Sequence, residues 1–149
     1  MISLLAGFWV MYELIMGSAR IAEARPMPDL SRAYAPNMML YHQAAVAYAA
    51  ASGTAGPIAE SSLALPAWYG KTANWQSLST GGYVVTWTAD ALPFSNYRLA
   101  DRLMKTGDRD ICIAIARTGN AVSFATNDTL IALPNQIPNG TALYVTRIN

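Results

Sequence analysis

The sequence predicts an α+β fold: a small domain whose mostly antiparallel sheet packs against helices, preceded by an N-terminal membrane helix. Three observations carry this reading. Residues 2–19 are almost uninterruptedly apolar; two later segments have the composition or periodicity of helices; and the C-terminal third alternates β-rich runs with Gly- and Pro-marked turns. The chain has 149 residues, 53% of them hydrophobic and 13% charged, which excludes a disordered polypeptide and suits one domain. The predicted division is a membrane anchor over 1–25 and a single globular domain over 26–149.

The anchor segment, ISLLAGFWVMYELIMGSA, is apolar or small apart from Glu13. As a helix it reaches roughly 27 Å, close to the hydrocarbon core of a bilayer. Pro26 and Pro28 end it, because proline lacks the amide donor and clashes with the preceding turn. A cleaved secretory signal, with Ala22-Glu23-Ala24 before the cut, fits less well, since a basic n-region is missing and Glu13 interrupts the apolar stretch. A prepilin leader cut after Gly7 would place Glu13 one position late, with too short an apolar run behind it. A charged carboxylate at mid-membrane costs about 2.5–3.5 kcal/mol, so Glu13 is expected either to contact a partner or to lie near the interface of a tilted helix. Arg20, Arg25 and Arg32 on the exit side favour a cytoplasmic domain, a bias that Glu23 and Asp29 dilute.

Pro36 opens an alanine-rich helix, NMMLYHQAAVAYAAAS, which Gly53 closes. In it Tyr41, Ala45 and Tyr48 share a stripe with Met38, and the alanines at 44, 47 and 51 leave room for another element to approach. Core packing is the expected role of the stripe, and Asn37, His42 and Gln43 count against a second membrane span. Residues 53–82, rich in Gly, Ser, Thr and Pro, read as loops pinned by Trp68, Tyr69 and Trp75. Residues 83–88 form a strand by their β-branched and aromatic density. Ser95 then begins an amphipathic helix with Leu99, Leu103 and Met104 inward and Gly107 as its C-cap. Residues 110–117 and 121–126 make a hairpin that turns at Gly119-Asn120, and 141–148 is the last strand. The element order is helix, helix, strand, helix and three strands.

Ten basic and nine acidic residues leave a net charge of +1, too even to attract nucleic acid. One cysteine and one histidine cannot supply a disulfide framework or a protein-only zinc cage. Cys112 lies in an alternating apolar strand and reads as a small core residue; His42 reads as a helix residue with one satisfied nitrogen, so a Cys–His catalytic pair is not expected. No P-loop motif is present, and neither a cofactor nor an enzymatic activity is expected. Seven charges fall within 98–110, where Arg98, Arg102, Lys105 and Arg109 interleave with Asp101, Asp108 and Asp110. Such a face neutralises itself in solvent. Read as a docking surface, its candidate contacts are Arg98, Arg102 and Arg109.

The MISLLAGFWVMYELIMG anchor, the Pro-flanked alanine-rich segment and the small domain ending in LYVTRIN together resemble the PilM family of type IVB thin-pilus systems of conjugative plasmids. The resemblance is one of layout over the full chain and assigns no functional residue. The same name denotes an actin-like ATP-binding protein of other pilus systems, whose fold needs a longer chain and a phosphate-binding signature. The resemblance implies a bacterial inner-membrane protein with a periplasmic domain, against the weak arginine bias, that supports pilus biogenesis in conjugation without catalysing a reaction. Its partners would be other pilus-assembly proteins, with Glu13, Tyr41 and Tyr48 as candidate contacts and self-association left open. The rival classes are a minor-pilin-like fibre subunit, which the off-register Glu13 disfavours, and a periplasmic enzyme, which has only scattered Ser, Asp and one His to draw on.

Overall fold

The computed structural model of the chain describes residues 29–106, 112–134 and 136–148. The expected anchor at 1–25 lies outside them, and among the described residues no helix is long and apolar enough to cross a membrane. Helix α1 spans Ser31–Ser52 and ends at Gly53, whose φ of 63° lets its N–H turn back to the Ala49 carbonyl at 2.9 Å. The helix therefore begins at Ser31 rather than at Pro36. Backbone bonds from Arg32 and Ala33 to the carbonyls of Asp29 and Leu30 close its first turn. Pro36 sits in the second turn on the exposed side, where water reaches the Arg32 carbonyl that proline leaves without a donor.

The buried side of α1 is Ala35, Met38, Tyr41, His42, Ala45 and Ala49. Close approach to the sheet uses Ala35, Ala45 and Ala49; Ala47 and Ala51 face solvent and Ala44 is half-buried, contrary to the expectation for those three. Alanine on every side gives the helix almost no amphipathic signal, so the inward face is set by its large residues, Met38 and Tyr41.

Among the described residues seven strands form one antiparallel sheet: β1 Gly56–Ile58, β2 Trp75–Thr80, β3 Tyr83–Thr88, β4 Cys112–Arg117, β5 Asn120–Ser123, β6 Thr129–Ala132 and β7 Ala142–Arg147. Their spatial order is β1-β2-β3-β7-β4-β5-β6. The last strand is thus central, with Tyr144 opposite Thr86 on one side and Ile113 on the other. Strands β1, β2 and β6 were not expected. In β2, WQSLST, the serines locally favour turns. They sit in a strand because Trp75, Ser77 and Ser79 alternate inward and Ser77 Oγ meets Thr86 Oγ1 across the ladder at 2.6 Å. The β4–β5 turn centres on Thr118 and Gly119, with φ of 45° and 76°, one residue earlier than Gly119-Asn120.

Helix α2, Asn96–Thr106, starts where the Ser95 hydroxyl accepts from the Arg98 N–H at 3.3 Å. Leu99, Ala100 and Leu103 are fully buried, whereas Met104 is 45% exposed and is not part of the inner stripe. The expected C-cap, Gly107, lies outside the described residues. Both helices cover one face of the sheet, packing Met38, Tyr41, Leu99 and Leu103 on Trp75, Ile113, Ile115 and Tyr144. The opposite face carries Val85, Trp87, Ala114, Ala116, Leu143 and Val145, against which Leu133 and Ile137 of the β6–β7 connection pack. Ala114, Ala116 and Ala121 let that connection lie close, and it is strapped down by Leu133 N–H to Gly119 O at 2.7 Å and Gly140 N–H to Ala116 O at 2.8 Å. Together these elements bear out an α+β domain whose antiparallel sheet packs against helices.

Candidate functional site

The polar side chains of α1 converge on the β2–β3 half of the sheet. Asn37 Oδ1 accepts from Trp75 Nε1 at 2.7 Å, from the Tyr69 hydroxyl at 3.0 Å and from both the backbone N–H and the hydroxyl of Thr72 at 3.1 Å. Its Nδ2 donates to the Gly70 carbonyl at 2.7 Å. One amide thereby holds the β1–β2 loop to the helix. Nothing in local sequence singles out Asn37, since its partners lie 32–38 residues away; Tyr69 and Trp75 were the visible half of the same contact, whereas Trp68, expected to pin the loop with them, is 77% exposed.

His42 is 1% exposed, and both of its nitrogens are satisfied rather than one: Nδ1 lies 2.7 Å from Thr86 Oγ1 and Nε2 lies 2.8 Å from Thr146 Oγ1. The ring stands edge-on to Tyr144 at 4.5 Å. A neutral imidazole donates through one nitrogen and accepts through the other, so one threonine hydroxyl donates and one accepts. Burial lowers the His42 pKa from 6.5 to about 3, which keeps the ring neutral at ordinary pH. Continued through Ser77, the chain Ser77–Thr86–His42–Thr146 links helix, hairpin and central strand.

Cys112 is exposed, not a core residue. It lies at the end of β4 away from the β6–β7 strap, on the face opposite the helices, so the sheet separates it from His42.

Of the candidate contacts, Tyr41 is 1% exposed and stacks at a tilt on Tyr69, with ring centroids 6.5 Å apart. Burial, and then Glu60, holds the Tyr41 hydroxyl above its ordinary pKa of 10; burial, then Tyr41 and Glu60, does the same to Tyr69. Tyr48 is half-buried against Ala45, Ala49, Ile58 and Val84, so the pair does not form one exposed stripe. Arg98 is exposed near Asp29. Arg102 is half-buried, and its Nε is enclosed without a hydrogen-bond partner. Glu13 and Arg109 lie outside the described residues. Arg98 and Arg102 belong to α2, apart from the tyrosines of α1, and the Lys105–Asp101 ion pair at 2.7 Å accords with a self-neutralising face.

Tyr41 also opens onto a cleft of about 480 Å³ at the outer edge of β2, whose other walls include Ile58, Trp75, Leu78, Trp87 and Pro134. Glu60 lines it and is ion-paired with Lys71.

Among the described residues these features define an α+β fold of one seven-stranded antiparallel sheet, with two helices on one face, a polar knot beneath α1 and a cleft at a sheet edge. The chain belongs to the PilM family, whose model matches residues 2–145. A crystal structure named as a PilM protein from Escherichia coli B7A has the same fold, with a TM-score of 0.57 at 18% identity over 83% of this chain and 99% of that one. A structure named as a PilM protein from Pseudomonas aeruginosa 2192 aligns with a TM-score of 0.47 at 28% identity, over 82% of this chain and 98% of that one. No curated protein matches the chain.

Proposed function

We propose that this chain is a non-enzymatic, membrane-anchored accessory component of type IVB pilus biogenesis in bacterial conjugation, acting through protein–protein contacts with other pilus-assembly proteins. The observation that carries the reading is the family match over residues 2–145, which supports a pilus-related role. The apolar run at 2–19 supports the anchor. The domain lies in the periplasm on this reading, and the few arginines behind the apolar run orient it only weakly.

In-frame deletion of the gene in a piliated donor strain tests the role. Loss of pili and of pilus-dependent mating, restored by the full chain, is the expected result; undiminished piliation and transfer would overturn it. Placement is read from protease digestion of a C-terminally tagged chain in spheroplasts, with its intact mass. Digestion of a full-length chain is expected. Protection would put the domain in the cytoplasm, and a mass lacking the first seven residues would mark a pilin-like subunit instead.

A further inference from the structure

Trp68 is the most exposed large apolar side chain among the described residues, although its neighbours Leu63, Leu65 and Tyr69 all pack against the core beneath α1. The Tyr69 N–H closes a tight turn on the Pro66 carbonyl at 2.9 Å, which puts Ala67 and Trp68 at its corners, both facing solvent. Just beyond the turn, the Tyr69 hydroxyl and the Gly70 carbonyl are bonded to Asn37, so the indole is held out from a fixed loop. A ring presented in this way has little backbone freedom left to lose on binding.

The turn is also uncharged. Residues 61–70, SSLALPAWYG, contain no acidic or basic side chain, and Glu60 and Lys71, which bracket them, are ion-paired with each other. A partner selected by charge finds nothing to pair with there. An indole, with an apolar body and one N–H at its edge, suits the headgroup level of a bilayer.

The place of the turn in the molecule agrees with that occupant. Asn37 lies in the second turn of α1, eight residues after Asp29 and about 12 Å from it along the helix axis. Trp68 therefore stands at the end of the domain where the chain enters, and the exposed Leu30 lies at the same end. Residues 20–28 separate Asp29 from the apolar run at 2–19, and even a fully extended chain covers only roughly 35 Å over that stretch. With the run in a bilayer, the entry end of the domain stays close to the membrane surface.

We propose that the Pro66–Tyr69 turn is a second membrane contact, in which Trp68 seats at the headgroup level of a phospholipid bilayer and holds the entry end of the domain against it. The inference rests on the reading of 2–19 as an anchor.

The test places the full-length chain, carrying Cys112→Ser, in vesicles of phosphatidylcholine and phosphatidylglycerol, with an environment-sensitive fluorophore attached through Ala67→Cys. A nitroxide on the lipid headgroup is expected to quench this label strongly. It is expected to spare the same label attached through Ala51→Cys, an exposed position roughly 20 Å farther along α1 than Asn37. Adding Trp68→Ser removes an exposed ring, leaves the core untouched and is expected to bring quenching at position 67 down to the level at 51. The proposal is overturned if the two positions are quenched alike, or if Trp68→Ser leaves quenching at 67 unchanged. It is equally overturned if the label at 67 responds to protein density in the vesicles and not to the quencher, which would assign the turn to a second copy of the chain. Flotation with the vesicles after a carbonate wash scores the anchor separately. A chain that stays behind removes the anchored reading and this proposal with it, whereas a chain that floats with both positions quenched alike removes the proposal alone.

Discussion

Asn37 carries more of the fold than any charged residue near it. Asn37→Ala removes the acceptor shared by Tyr69, Thr72 and Trp75 and the donor to Gly70, and it strands the indole N–H of a tryptophan that is 1% exposed. The expected loss is about 2–4 kcal/mol, seen as a fall of roughly 10 °C in the thermal midpoint. Asn37→Asp retains the acceptor and loses only the donor, so it should fall between the two. His42 makes the second residue-scale prediction. Its folded pKa of about 3 lies below the ordinary 6.5, so the unfolded chain binds the proton first. Its contribution is therefore complete above pH 6.5 and declines as pH falls toward 3, by about 1.4 kcal/mol per pH unit. Asp29, whose carboxyl is held below 3.8 chiefly by the Ser31 hydroxyl, weakens the fold only at lower pH. Urea unfolding between pH 6 and pH 4.5 should thus show the slope in the parent and lose it in His42→Gln.

At the scale of elements, the β4–β5 hairpin places a β-branched residue where the backbone is left-handed. Thr118 at φ 45° precedes Gly119 at φ 76°, the two positive φ values of a type I′ turn. Thr118→Asn supplies the residue that such a turn favours and leaves intact the backbone bonds of position 118 to the Asn139 and Asn120 side chains. A stabilisation of about 0.5–1 kcal/mol is expected from denaturant midpoints at unchanged m. Legibility in the sequence followed the same local logic. Strands β3 and β7, dense in Val, Tyr and Trp, were visible, as was α2 with its Leu99 and Leu103 spacing. Strand β2 was not, because its serines are buried by partners 9 or more residues away and not by their own propensity. The inward stripe of Met38, Tyr41 and Ala45 on α1 was visible through its large residues, but which of the other alanines face the sheet was not, because alanine marks no side.

Across the whole molecule, the sheet is two three-stranded meanders, β1-β2-β3 and β4-β5-β6, closed by a seventh strand that arrives last and pairs with both. Truncation before Thr141 removes that strand together with Ala142, Leu143, Tyr144 and Val145, all no more than 2% exposed. A typical domain is stable by only about 5–15 kcal/mol, so the shortened chain is expected to lack a cooperative thermal transition and fixed near-ultraviolet dichroism. By itself, the sequence determined what neighbours along the chain can settle: the fold class, the helix end at Gly53, the start of α2 at Ser95 and the most apolar strands. These depend on backbone preference and short-range periodicity. Only the tertiary structure decided that the last strand is central, that Asn37 and His42 are buried ties, that Cys112 is exposed and that a cleft opens where β1 stops short of β2. Each of those is set by contacts between distant residues, which no local pattern encodes.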